Sequence, residues 1–162
     1  MKKGQIQGQV FIYILTLIIT GMILIYGYNA IKSINERAIQ VELVNFKTTI
    51  KSDFEKMSSD YGSVKTMSYN VPSKLKEICF YQKDVSEPEN PSESININNP
   101  LIKDSIKDTD NNVFLVMGNA IEPMELSRIE VSEGQILCIN INSNRLKLKL
   151  EGLGDGVLVE QA

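Results

Sequence analysis

Hydrophobic residues run almost without interruption from position 10 to position 28, VFIYILTLIITGMILIYGY, broken only by Thr16, Thr20, Gly21 and Gly27. As a helix this run is roughly 28 Å long, close to the ~30 Å hydrocarbon core of a bilayer. Its backbone groups are satisfied internally, and the two threonines can bond back to the preceding turn. Tyr26 and Tyr28 stand where an interfacial aromatic belt falls, and Lys2 and Lys3 mark the short N-terminal end as cytoplasmic. The run is too long for the apolar region of a cleaved secretory signal and lacks small residues before a cut. The pattern predicts a single-pass span over 10–28, after a polar leader of residues 1–9, with everything later held outside the cytoplasm.

From 29 to 58 there is neither Pro nor Gly, and the periodicity changes. Ile39, Leu43, Phe46, Ile50, Phe54 and Met57 recur at helical spacing and form one narrow stripe. Ile31, Ile34, Ala38 and Val41 form an earlier stripe, centred about 130° around the helix from the first. The membrane helix is expected to continue as an amphipathic helix through the segment 29–61, with Gly62 as its stop. The later stripe should pack on the chain's own sheet and the earlier one on neighbouring copies.

From 62 to 162 the pattern turns to strands. Leu146, Leu148 and Leu150 alternate with Arg145, Lys147, Lys149 and Glu151, the clearest strand in the chain. Further strands are expected over 64–71, 75–81, 113–117, 124–131, 135–142 and 157–159. Pro72-Ser73 reads as a turn, and Ser143-Asn144 as a hairpin turn before the leucine strand. The polar stretch 83–99 contains Pro88 and Pro91 and reads as a loop. Asn99-Pro100 then caps a helix of two turns. The expected fold is α+β. A long N-terminal helix, transmembrane and then amphipathic, packs on a head of six or seven strands in a mainly antiparallel sheet.

Composition removes several functions. Without Lys2 and Lys3 the basic count falls from 17 to 15 against 20 acidic residues, a net of −5. Such a balance argues against a nucleic-acid partner. There is no His, so the commonest general base and metal ligand is missing. No nucleophile stands beside a base in a recognisable motif, and neither an enzyme nor a small-molecule substrate is expected. Asp108, Asp110 and Asn112 have the first spacings of a calcium loop, but Val113 and Asn119 occupy the positions of its Gly and Glu. The segment 151–157, EGLGDGV, lacks the strand–loop–helix order of a phosphate loop and reads as a tight turn. The Lys147/Lys149 face could meet an acidic polymer or a neighbouring subunit, although a solvated strand face is commoner. No cofactor or metal is implied.

Cys79 and Cys138 both lie beyond the membrane segment, inside expected strands. There they could persist as a disulfide, or stay two small buried residues that never meet.

The residues before the span read Lys2-Lys3-Gly4-Gln5-Ile6-Gln7-Gly8-Gln9-Val10. This resembles the class III leader of archaeal type IV pilins and archaellins, in which a basic stretch and Gly precede the cut and Gln often follows. The resemblance implies cleavage between Gly4 and Gln5 by a prepilin peptidase on the cytoplasmic side, so that the apolar segment survives. It places Gln9 at the position that sets subunit registry, where the family usually has Glu. It implies a pilin-like layout and a structural subunit of a surface filament or pseudopilus, whose partners are the bilayer and other copies or related subunits. The alternative is a single-pass anchored extracytoplasmic binding module that does not polymerise.

Overall fold

The computed structural model describes residues 5–83, 100–132 and 134–162. They fall into two compact units, residues 1–40 and residues 41–162. One helix, α1 (Gln5–Ser59), contributes to both.

In the first unit α1 is apolar around its circumference over 10–28, and its side chains there are almost all exposed. Thr16 Oγ1 donates to the Tyr13 carbonyl at 2.9 Å, and Thr20 Oγ1 to the Thr16 carbonyl at 2.8 Å. The hydroxyls are thus satisfied within the helix. Such a helix is long and apolar enough to cross a membrane.

Among its described residues, the second unit contains eight strands and a short helix around the end of α1. The elements are β1 (Val64–Asn70), β2 (Glu77–Tyr81), α2 (Pro100–Asp108), β3 (Val113–Met117), β4 (Ala120–Met124), β5 (Arg128–Val131), β6 (Ile136–Asn140), β7 (Arg145–Gly152) and β8 (Gly156–Gln161). The α+β expectation holds: α1 packs on β-sheet, and every strand pair is antiparallel except β5 with β8.

The single sheet expected from sequence is in fact two four-stranded sheets, ordered β1-β7-β8-β5 and β4-β3-β2-β6. Asn112 explains one part of the division. Its side chain is buried, accepts from the N–H of Leu126 at 2.8 Å and donates to the carbonyls of Leu126 and Ser127 at 3.2 Å. These bonds take backbone groups that a continuous strand would give to its neighbours. The segment 124–131 therefore breaks into the end of β4 and the separate β5. Ser143-Asn144 likewise joins the two sheets and is not a hairpin turn, because β7 pairs with β1 and β8 and not with β6. The β7–β8 connection is a tight turn, as expected, with Gly154 at a φ of 92°.

Phe46, Ile50, Phe54 and Met57 enter one core with residues of both sheets, including Ile78, Phe80, Leu115, Leu148 and Val159. The alternate side chains of the second sheet, Cys79, Tyr81, Phe114 and Val116, form a smaller cluster with Ile102 and Ile106 of α2. β2 and β3 are thus covered on both faces, which is why EICFY and VFLVM read as unbroken apolar runs. After α1, Gly62 takes a φ of 75° and donates to the Gly152 carbonyl at 2.8 Å. Of the loop expected over 83–99, residues 84–99 lie outside the described residues.

Candidate functional site

Two surfaces are candidates: the exposed face of α1 and a groove in the head. The helix stripe assigned to the chain's own sheet is graded along its length. Phe46, Ile50, Phe54 and Met57 are buried, Leu43 is half-buried against the core, and Ile39 is half-buried. The other stripe is exposed: Ile31 is 63%, Ile34 64% and Val41 58% accessible, and Ala38 is exposed as well. Val44, not singled out from sequence, extends it at 60%. Its position three residues beyond Val41 is the signal that could have found it.

Gly4, on one side of the expected cut, lies outside the described residues, and Gln5 is the first residue of α1. Gln9 is an exposed helical residue.

The groove, about 550 Å³ in volume, runs between α1 and the end of β1. Glu42, Asn45 and Thr49 line it from the helix, and Ser68, Tyr69 and Asn70 from the strand. Phe46 and Tyr69 meet there edge to face, with ring centroids 6.3 Å apart. Burial, reinforced by the Asp53 carboxylate, pushes the Tyr69 hydroxyl above its ordinary range, so it stays protonated and donates. Sequence reasoning missed this groove, whose walls come from α1, from the end of β1 and from Asn144, which are far apart in the chain.

Cys79 and Cys138 face each other across the β2–β6 pair and are joined as a disulfide, with Cα atoms 4.0 Å apart. The Glu77 carboxylate lies close to both sulfurs. With both sulfurs bonded to each other, neither is a thiolate that could hold a metal. The residues of the discarded calcium pattern diverge. Asp110 pairs with Lys83 at 2.5 Å, which holds its carboxyl below the usual range, while Asn112 is buried in its own hydrogen bonds. On the outer face of the first sheet, Lys149 pairs with Glu160 at 2.7 Å, and this raises the Lys149 pKa. Arg128, between Asp155 and Glu130, is shifted upward by the same kind of pairing. These exposed pairs contribute little to stability.

No protein-family model, curated protein or solved structure matches this chain.

Proposed function

We propose that this chain is a non-enzymatic structural subunit of a type IV pilus-like surface filament or pseudopilus. In this reading it is anchored in the membrane before assembly, with its N-terminus cytoplasmic and its head outside. The observation that carries the reading is the division of labour along α1. One stripe of the helix is buried in the chain's own core, while the stripe of Ile31, Ile34, Ala38 and Val41 is left exposed. Exposed apolar stripes on an amphipathic helix mark a surface for other chains. Copies would bundle through this stripe and through the apolar run before it, with their heads outward. The leader-like residues Lys2, Lys3, Gly4 and Gln5 support processing by a prepilin peptidase.

Electron microscopy of cells carrying a label on the head tests the reading. Labelled filaments are expected, and intact mass should place the mature N-terminus at Gln5. Diffuse label over the envelope, with a chain beginning at Met1, would overturn it in favour of an anchored binding module. The open groove of the head is the feature that favours that second reading.

A further inference from the structure

Hydrogen bonds at the two ends of β1 determine which of its backbone groups are unpaired. The N–H of Val71 donates to the Asn144 carbonyl at 3.1 Å, and that of Gly152 donates to the Ser63 carbonyl at 2.9 Å. Residues 63 and 71 therefore direct backbone groups at β7. Direction alternates along an antiparallel strand. Lys65, Met67 and Tyr69 accordingly face β7, opposite Leu150, Leu148 and Leu146. The N–H and C=O groups of Val64, Thr66, Ser68 and Asn70 point the other way. β1 is the outermost strand of its sheet, and among the described residues no strand pairs with that side.

Two of the other sheet edges are blunted. β4 carries Pro123. β5 is only four residues long, and its Val131 N–H is taken by the Gln82 side chain at 3.1 Å. Proteins generally protect edges in such ways, because an open edge templates pairing with another chain. β1 has seven residues and contains neither Pro nor Gly. Its one lysine, Lys65, is engaged by Asp60 at 3.5 Å. It is also the one edge strand that borders the groove, and Ser68 and Asn70 both line it. A free strand edge beside a helix, with a pocket between them, is the geometry by which an extended peptide is captured. The backbone supplies affinity and the pocket selects a side chain. Among the described residues, Glu42 is the only charged one in the lining.

We propose that this groove binds an extended segment of a different protein, which adds as a strand to β1 and sets a lysine or arginine against Glu42. The choice of a different protein rests on charge complementarity. The lining carries the carboxylate of Glu42 and, among the described residues, no cation, and this chain is itself net acidic, with 20 acidic against 17 basic residues. The site does not depend on whether the chain polymerises.

The test uses the full chain in detergent micelles and three seven-residue peptides of alternating threonine and valine. The first has a central lysine, the second a central glutamate, and the third is the lysine peptide N-methylated at every interior amide, so that neither edge can donate. The lysine peptide is expected to slow amide exchange at Thr66 and Ser68 by about tenfold, since exchange reports local opening. The glutamate peptide should do so more weakly and the methylated peptide not at all. Glu42→Gln should weaken the lysine peptide several-fold and strengthen the glutamate peptide, so that the two bind alike. Ser68→Pro removes an N–H that points off the sheet, so it should keep the melting temperature and abolish binding. If that variant misfolds, the methylated peptide decides. Unchanged exchange, or equal protection by the methylated peptide, overturns the proposal. So does protection that appears without peptide as protein concentration rises, which would identify a second copy as the occupant.

Discussion

Phe54 of α1 stacks on Phe80 of β2, with ring centroids 6.0 Å apart and ring planes inclined by only 4°. Both side chains are fully buried, and the pair joins the helix to the second sheet at the centre of the core. Truncating a buried phenylalanine removes its transfer energy and leaves a cavity, about 3–5 kcal/mol together. Phe54→Ala should therefore lower head stability by that amount, a large share of the 5–15 kcal/mol typical of a domain. Denaturant unfolding followed by near-ultraviolet circular dichroism measures it. A loss under about 1 kcal/mol would show that the helix does not organise this core.

Gly152 makes a second junction. A Cβ there would strike the carbonyl oxygens of Asp60 and Met57, backbone atoms at the end of α1. The close approach allows Gly62 to donate to Gly152, and Gly152 to donate to Ser63. Gly152→Ala must push the helix end away from β7 and should cost at least about 2 kcal/mol, the range of overpacked positions. The melting temperature of the variant is the measurement. A neutral result would mean that the two segments separate freely.

These two junctions also separate what sequence reveals from what it hides. The buried stripe 46–57 and the leucines of β7 were legible because helix and strand periods are local properties of the chain. The two-sheet division was not, because it depends on which distant strands pair and on Asn112 bonding to Leu126. Nothing in an asparagine fourteen residues away signals that it will end a strand. The cysteines were visible as a possible pair, but their meeting required the register that sets Cys79 opposite Cys138. The groove was hidden for the same reason, since Glu42 and Asn70 become neighbours only after α1 packs on β1.

The disulfide closes a separation of 59 residues. The loop-entropy model assigns such a bridge on the order of 4 kcal/mol, through restriction of the unfolded chain. Non-reducing digestion should yield one peptide joining Cys79 and Cys138, and reduction should lower the unfolding midpoint accordingly. Free thiols at both positions in freshly isolated protein would remove this contribution.

Tyr69 gives the head a dependence on alkaline pH. Burial and then the Asp53 carboxylate raise its folded pKa above the unfolded value near 10.0. The neutral phenol is thus the form the fold favours, and its contribution is complete below the unfolded pKa. It is lost progressively as pH climbs from about 10 toward the folded pKa. Stability measured from pH 8 upward should fall more steeply in the native chain than in Tyr69→Phe, which cannot ionise. Parallel curves would place the alkaline transition elsewhere.

The two stripes of α1 predict opposite consequences for the same kind of substitution. Ile50 is completely buried in the core, whereas Ile34 is 64% exposed. A glutamate at position 50 sacrifices the ~1.5–3 kcal/mol of a buried aliphatic side chain and in addition buries a carboxylate with no cationic partner. Ile50→Glu should therefore unfold the head or lower its melting temperature sharply. Ile34→Glu replaces an exposed side chain and should change the melting temperature of the unassembled chain in micelles little, within about 0.5 kcal/mol. In an assembled filament the same position would be covered by a neighbouring copy, and the charge would be buried there. Ile34→Glu and Val41→Glu should thus leave protein levels and folding intact while abolishing filaments in cells. If Ile34→Glu destabilises the chain as much as Ile50→Glu, both stripes serve the fold and the exposed face gives no support to polymerisation. If it spares both the chain and the filaments, the subunits are held through some other surface.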